Sequence, residues 1–381
     1  MRLLAGLIVL AAAGTVLAAK LAQPSQRAAQ PPVCSNSTVL AGWSLARLID
    51  QTIVIPADET DIGALAPAAR AGYGGAILFG TSAPSDLASQ LQRLRREVPG
   101  HLGLLVMTDE EGGGVQRMAN LVGSMPWPSR MGSTMTPSQI EALARRVGSQ
   151  MARHGVDVDL APVVDVDGRA VEPGAADPDG FRSFSGDVAT VEADGVAFLR
   201  GLMEAGVLPV VKHFPGLGGA SGNTDDGPAD TLSWSRLLTE AVPPFEAAIK
   251  AGVPAVMVSN ALVPGLTGAT PASLSYAAVT EELRDRLGFG GLIITDSLSA
   301  GAIRDGPLSL TVPRASVEAL EAGDDMVLFG PTGSMGDDLA VAAAIRTAAL
   351  DAVAAGHLSR AKLERAVAEV LTAKAVKLCA G

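Results

Sequence analysis

Short apolar runs alternate along most of the chain with longer segments in which apolar positions recur at helical spacing. A run of four to eight apolar residues is typical of a buried strand, whereas a 3.6-residue period is typical of an amphipathic helix. Eight segments have the strand pattern: QTIVIP at 51, GAILFG at 75, GLLVMTDE at 103, VDVDLAPVVDVD at 156, VLPVVKHF at 207, PAVMVSNA at 254, GLIITDS at 291 and DMVLFG at 325. Helical segments separate them, and two more follow the last strand, beginning near residues 337 and 359.

This alternation predicts an α/β fold, a (β/α)8 barrel of the TIM type with extra C-terminal helices. A doubly wound sheet is the alternative, but no G-x-G-x-x-G motif follows an early strand. Barrel enzymes carry their chemistry at the carboxyl ends of the strands. The polar residues at these predicted ends are Asp109, Glu110, Glu111, Asp165, Asp167, Lys212, His213, Ser259, Asn260, Thr295 and Asp296.

The N-terminal segment has the pattern of a targeting signal. One arginine precedes an apolar run and then small residues in MRLLAGLIVLAAAGTVLAAK. Residues 1–19 are therefore predicted to be a signal peptide. The alternative is a membrane anchor through residues 3–19, although this run is short for a spanning helix of ~20 residues. Residues 20–38 read as a linker and residues 39–381 as the barrel, so we expect an exported protein, either extracellular or held at the cell envelope.

Net charge, histidine spacing and cysteine content indicate which ligands and cross-links to expect. The net charge of −11 disfavours a nucleic-acid surface, which needs clustered lysine and arginine. The four histidines lack metal-ligand spacing and no D-x-D-x-D-G loop occurs, so neither a metal nor another cofactor is expected. Cys34 and Cys379 are the only cysteines, and an even count in an exported protein predicts a disulfide between them.

Two strand ends carry the strongest chemical signals. Asp296 is either a rigidly held carboxylate at the barrel mouth or the N-cap of the following turn. Lys212 and His213 end another strand and leave three interpretations open. The lysine could form a Schiff base, the pair could hold an oxygen-rich substrate, or both could belong to a structural ion-pair network.

Two loops are weaker signals when each is taken alone. TDEEGGGVQR, at 108, opens on Asp109 and is either a tight turn into a site or a solvated acidic loop. GFRSFSGD, at 180, places Arg182 between two aromatic residues.

Together these segments resemble glycoside hydrolase family 3, and within it the single-barrel β-N-acetylglucosaminidase branch. The resemblance covers roughly residues 45 to 375. It rests on the order of KHFPGLG, TDEEGGGVQR, LAPVVDVD, FRSFSGD, PASLSYAAVTEELRDRLGFGGLIITDSLSAGAI and AGDDMVL.

The resemblance implies a monomeric enzyme that hydrolyses terminal β-linked N-acetylglucosamine in cell-envelope or peptidoglycan-derived glycans. It implies a retaining mechanism in which Asp296, in the TD-x-[LM] segment, attacks the anomeric carbon. It also implies contacts with the sugar hydroxyls, for which paired carboxylate and guanidinium atoms are suited. The matching positions are Asp109, Arg117, Arg182, Lys212 and His213.

The sequence departs from this family at two places. The branch usually reads KHFPGHG followed by DSH, an Asp-His pair that serves as the general acid and base. Here Leu217 stands at the first histidine, and Asn223-Thr224-Asp225 align with DSH. Gly114 stands where the family carries an arginine.

These departures place the proton donor in question, and losing general acid catalysis costs ~10²–10⁴-fold. We predict that Asp225 takes this role, on a loop whose glycines would let it swing over the sugar. Asp226 is a weaker candidate because it lies one residue past the aligned histidine. The alternatives are a slow enzyme limited to activated leaving groups, or a barrel that binds envelope sugars without hydrolysing them.

Overall fold

The computed structural model describes residues 36–379, in which ten strands occur. In chain order they are β1 Ile53–Asp58, β2 Gly75–Phe79, β3 Leu105–Thr108, β4 Glu110–Gly112, β5 Val115–Gln116, β6 Val158–Asp159, β7 Leu208–Phe214, β8 Ala255–Val258, β9 Leu292–Thr295 and β10 Val327–Leu328.

Eight of these strands form one parallel sheet in the order β10-β1-β2-β3-β6-β7-β8-β9. A parallel bridge between Ile294 and Met326 joins the two ends of this sheet. The sheet therefore closes into the predicted (β/α)8 barrel, and all eight predicted strand segments contribute to it. The remaining two strands, β4 and β5, form an antiparallel hairpin that the apolar pattern did not predict.

Helices follow the barrel strands, as the alternation predicts. The α-helices are Asn36–Leu40, Leu45–Gln51, Ala66–Ala71, Leu87–Arg95, Ala119–Val122, Pro128–Thr134, Pro137–Arg153, Val188–Glu204, Trp234–Glu240, Val242–Lys250, Gly301–Arg304, Val312–Ala322, Met335–Ala354 and Arg360–Ala373. A π-helix spans Ala277–Arg286, and single 3-10 turns span Ile62–Leu65, Pro99–His101, Gly180–Arg182 and Ala272–Leu274.

Local signals explain several helix ends. The side chains of Thr136 and Gln139 form a capping box at the start of Pro137–Arg153. Gly323 ends Val312–Ala322 with φ of 119°, a backbone angle that favours glycine. The segment at 237–252 has one continuous helical pattern but forms parts of two helices that break at Ala241, because the prolines that follow cannot donate backbone hydrogen bonds to a preceding turn.

Two hydrophobic layers hold the barrel together. Inside it, side chains such as Val54, Met107, Val210 and Ile294 fill the space between the strands. A larger cluster packs the outer faces of the strands against the helices. Val370, from the last helix, joins the interior layer, so the C-terminal helix is part of the barrel core.

The N-terminal predictions fall mainly outside the described residues. Residues 1–19, the predicted signal peptide or anchor, lie outside them, as does most of the linker. Residues 36–38, which composition placed in the linker, begin helix Asn36–Leu40. None of the helices in residues 36–379 is long and apolar enough to span a bilayer.

The two ends of the described chain lie together. The Asn36 side chain donates to the Val376 carbonyl at 2.9 Å and accepts from the Leu378 amide at 2.8 Å. Cys34 lies outside the described residues, so its bridge to Cys379 stays a prediction. This contact places the neighbours of both cysteines within reach of each other.

We expect the exported protein to contain the Cys34–Cys379 disulfide and therefore no thiol that titrates after denaturation without reductant. Closing so long a loop stabilises the fold by about 2–5 kcal/mol, because it restricts the unfolded chain. Replacing both cysteines with serine should lower the denaturation midpoint, whereas adding reductant to that double variant should change nothing. Two reactive thiols in the non-reduced wild-type protein would exclude the bridge.

Candidate active site

One cavity of about 340 Å³ opens at the carboxyl ends of the barrel strands. This volume is within the range of small-ligand sites. Every site residue predicted from the sequence lines it: Asp109, Arg117, Arg182, Lys212, His213, Asp225 and Asp296. The cavity is therefore the candidate active site.

The hairpin β4–β5 positions the first group of acids. Asp109 precedes it and lines the cavity, while Glu111 lies within it and is buried. Gly112 and Gly113 have φ of 112° and 58°, which non-glycine residues rarely adopt, so the tight turn requires them. The segment is thus a built part of the site and not a solvated acidic loop.

Trp127 explains why the chain has glycine at position 114. A side chain at Gly114 would begin only 2.8 Å from the Trp127 ring. The Trp127 ring centroid lies 6.1 Å from that of Phe181, beside Arg182. The indole therefore occupies space that the arginine of the resembled family would need.

A buried ion-pair network forms one wall of the cavity. Lys212 Nζ lies 2.8 Å from Asp109 Oδ1 and 2.6 Å from Glu111 Oε1. Arg182 donates to both oxygens of Glu111, each at 2.8 Å. Burial alone would raise the pKa of Glu111, but Arg182 and Lys212 outweigh it and hold that pKa well below its usual range.

The ion-pair network helps to choose among the three interpretations of Lys212. Burial alone would lower the pKa of Lys212, but the charges of Asp109 and Glu111 raise it. The amine is therefore protonated at neutral pH, which disfavours Schiff-base chemistry because that needs the free amine. Lys212 belongs to an ion-pair network that also faces the cavity, so the structural and the substrate-holding interpretations are compatible.

The Arg117 guanidinium does not use all of its hydrogen-bond donors. Its Nη2 lies 3.9 Å from Asp109 Oδ2, too far for a hydrogen bond. Its Nε is buried without a hydrogen-bond partner among the described residues. The Arg117 side chain nevertheless lines the cavity, where a guanidinium is suited to an incoming hydroxyl or carbonyl oxygen.

His213 is held by Asp165. The imidazole Nδ1 lies 2.7 Å from Asp165 Oδ2, and the backbone amides of His213 and Leu217 also donate to this carboxylate. The Lys212–His213 peptide bond is cis. Nε2 lies 3.5 Å from Arg182 Nη2, so the ring edge faces the same wall as the guanidinium.

Asp296 follows β9 and is half-buried in the cavity wall. Its Oδ1 accepts from the adjacent Ser297 amide at 2.7 Å. The next helix, Gly301–Arg304, has Ala300 at its N-cap, so Asp296 is not the cap that one interpretation suggested. The carboxylate is left to face the cavity.

The loop that carries Asp225 is anchored. The carbonyl oxygens of Thr224 and Asp225 accept from the amides of Ala302 and Gly301, each at 2.9 Å. A side chain at Gly301 would begin 2.5 Å from the backbone of Asp226, so the loop packs closely there. Asp225 already lines the cavity without the swing that the sequence suggested.

The surroundings of Asp225 favour its protonated form. Its side chain meets solvent at the cavity, but partial burial and then the Asp296 charge raise its pKa, while Arg182 and His213 oppose this. Asp225, and not Asp226, is among the described residues that line the cavity. The geometry therefore agrees with the choice of Asp225 over Asp226.

The sequence placed Glu111 and Asp165 at strand ends without assigning either a role, and it gave no signal for Asp179, the third acid that the fold places around this site. Glu111 and Asp165 both lie in segments used for the family resemblance, and Glu111 is two residues from Asp109, so these positions were a usable signal. Asp179 is fully buried, and burial and then the Asp165 charge raise its pKa well above the usual range. A tertiary contact created this environment, and the local sequence does not indicate it.

Replacing Glu111 with glutamine should destabilise the protein by about 3–5 kcal/mol, because Lys212 and Arg182 would lose their shared buried counter-ion. Urea denaturation would measure this change. Glu204→Gln is the matched control, since its pair with Arg145 is exposed at 3.2 Å and worth at most ~1 kcal/mol. Similar small losses in both variants would contradict the inferred role of Glu111.

Comparison with known proteins agrees with the motifs and the cavity. Residues 67–373 match the glycosyl hydrolase family 3 N-terminal domain. The chain belongs to glycoside hydrolase family 3. It is therefore a glycoside hydrolase, and the cavity at the barrel mouth is its candidate active site.

Named relatives lie within the same family. The β-hexosaminidase LpqI of Mycobacterium tuberculosis is 38% identical over 282 residues, which are 72% of this chain and 69% of LpqI. The solved LpqI structure aligns with a TM-score of 0.79 at 33% identity, over 90% of this chain and 96% of that one. The β-N-acetylhexosaminidase of Beutenbergia cavernae aligns with a TM-score of 0.77 at 30% identity, over 88% and 100% of the two chains.

Proposed function

We propose that this glycoside hydrolase removes terminal β-linked N-acetylglucosamine from cell-envelope glycans with retention of anomeric configuration. The observation that carries the proposal is the placement of Asp225 and Asp296 in one cavity whose lining also holds fixed charged donors and acceptors. The printed names of LpqI and the Beutenbergia enzyme, a β-hexosaminidase and a β-N-acetylhexosaminidase, support the choice of sugar.

The ion-pair wall is suited to binding the sugar. Asp109 and Arg182 are held in place by Lys212 and Glu111, so little side-chain freedom is lost when hydroxyls bind. Bidentate carboxylate and guanidinium groups match pairs of vicinal hydroxyls. Arg117 also lines the cavity, and its guanidinium offers a further donor to a sugar oxygen.

The two carboxyl groups then divide the chemistry. Protonated Asp225 donates its proton to the glycosidic oxygen as the Asp296 carboxylate attacks the anomeric carbon and forms a glycosyl-enzyme. In the second step ionised Asp225 takes a proton from water, and that water displaces Asp296. Burial and then the Asp296 charge raise the pKa of Asp225, which is the direction that the role of general acid requires.

The signal-like residues 1–19 and one relative support an exported location. A protein of Arthroderma benhamiae, named as a secreted glycosyl hydrolase, is 35% identical over 262 residues, 65% of this chain and 73% of that one. We propose that this chain is likewise exported, and that its substrates are glycans met outside the cytoplasm.

Purified protein assayed with 4-nitrophenyl N-acetyl-β-glucosaminide tests the proposal. We expect release of nitrophenol above the rate of an Asp296→Ala preparation, and proton NMR should show the β-anomer of the sugar as the first product. Initial release of the α-anomer would overturn retention. Sugar binding without turnover would instead favour the sugar-binding barrel that the replacement of a histidine by Leu217 suggests.

A further inference from the structure

Three buried side chains, of which His213 also lines the cavity, form a cluster that the hydrolase chemistry does not use as a unit. They are Asp165, Asp179 and His213, and each can offer one ligand atom such that all three atoms lie within 4.8 Å of one another. They come from three different parts of the chain: the segment after β6, the loop before Arg182, and the end of β7.

Asp179 is the unusual member. Its side chain is 0% exposed, and neither Oδ1 nor Oδ2 has a hydrogen-bond donor in the described part of the chain. Arg182 is close in sequence, but its donors bind Glu111 and the Pro178 carbonyl. A buried carboxylate is costly unless something compensates it, so this residue requires an explanation.

Asp165 and His213 each have a lone pair that can still bind a metal ion. Asp165 accepts from three donors, the backbone amides of His213 and Leu217 and the His213 imidazole, whereas a carboxylate can accept about four. A neutral imidazole offers one nitrogen lone pair to a metal. The cluster can therefore supply one nitrogen and two oxygen ligands.

We propose that Asp165, Asp179 and His213 bind one divalent cation of the zinc class. One imidazole nitrogen with two carboxylates is a ligand set that zinc accepts, with water in the remaining position. Binding breaks the hydrogen bond between His213 Nδ1 and Asp165 Oδ2, which are 2.7 Å apart, and the two side chains shift to make metal bonds of about 2.0–2.2 Å. The Nδ1 proton moves to Nε2, so the imidazole stays neutral, its Nδ1 lone pair binds the cation, and Nε2–H is left as a donor.

This site differs from the sequence expectation of no metal, because its ligands are brought together only by the fold. It does not rest on the proposed hydrolysis. A cation there would connect the loop that carries Arg182 to the end of β7 that carries Lys212. It would stabilise the cavity wall, since it binds the folded chain and not the separated segments.

The test compares untagged wild-type protein with Asp179→Asn and Asp324→Asn. Asp324 is the matched control because it is also buried with both oxygens lacking donors among the described residues, yet belongs to no such cluster. Each protein is stripped with a chelator, mixed with Zn²⁺, desalted and analysed for retained zinc and for thermal stability. Ca²⁺, which prefers all-oxygen sites, serves as the comparison ion.

We expect about one retained zinc per chain and a higher Tm with Zn²⁺ for the wild type and for Asp324→Asn. Asp179→Asn should bind zinc about tenfold or more weakly and show no such rise. Equal zinc retention by wild type and Asp179→Asn would overturn the proposal. Should Asp179→Asn fail to fold, Co²⁺ titration of the wild type decides, since a bound site gives visible d–d absorption and a spectrum like that of aqueous Co²⁺ would also overturn it.

Discussion

Replacing Asp296 with alanine is expected to reduce hydrolysis by roughly 10⁴-fold or more, because the covalent step loses its nucleophile. The fold should persist, since the side-chain hydrogen bond that positions this carboxylate is the one from the adjacent Ser297 amide. Circular dichroism and binding of N-acetylglucosamine should therefore match the wild type. The loss should be similar for activated and unactivated leaving groups, because attack on the anomeric carbon is common to both.

A 2-fluoro sugar with a good leaving group identifies the nucleophile directly. It should trap the glycosyl-enzyme, and peptide mass spectrometry should place the label on Asp296. Asp305→Ala, which removes an exposed aspartate paired with Arg304, is the matched control and should leave the rate unchanged. A label on another carboxylate, or an Asp296→Ala rate close to that of the wild type, would refute the assignment.

Replacing Asp225 with alanine should reduce hydrolysis of glycans with poor leaving groups by ~10²–10⁴-fold, the usual contribution of a general acid. The rate of glycosyl-enzyme formation from nitrophenyl substrates should fall much less, because nitrophenolate leaves readily without being protonated. Azide should restore part of the rate, since it attacks the glycosyl-enzyme without a general base. Asp226→Ala, one residue away on the same loop, is the control and should resemble the wild type.

The pH dependence provides a second readout of the same role. The pKa of Asp225 is raised by burial and then by Asp296, so its acid form persists to higher pH than for an ordinary carboxyl. Hydrolysis of poor leaving groups should therefore fall as pH rises through this pKa, and Asp225→Ala should lack that fall. Equal losses on both substrate types, no azide effect and an unchanged high-pH limb would show that Asp225 is not the proton donor.

Much of the fold could be predicted because strand patterns are local. Each buried parallel strand needs a run of apolar residues, and all eight runs form barrel strands. The lengths of the strands were less predictable. The segment at 156–167 contributes only Val158–Asp159 to the sheet as a regular strand, since Pro162 cannot donate to the ladder. The hairpin β4–β5 contains no apolar run, so the hydrophobic pattern could not indicate it.

Some features of the candidate site could likewise be predicted from the sequence, whereas others depended on tertiary contacts. Motif order placed Asp296, Lys212 and His213 at strand ends, and the barrel geometry then brings strand ends together whatever their separation along the chain. The ion pairs between Glu111 and Arg182, 71 positions apart, were not visible, since pairing depends on which loops meet above the sheet. The anchoring of the Asp225 loop by Gly301 and Ala302 likewise depends on a contact between distant segments.

The sequence by itself therefore determined the barrel and the residue types at its mouth, because periodicity and strand-end position are properties of short segments. Only the tertiary structure decided which charges pair, which carboxyl group has a raised pKa, and that Asp179 is buried beside Asp165 and His213. Those properties depend on distance and on exclusion of water. Both are set by the packing of loops that are remote from one another along the chain.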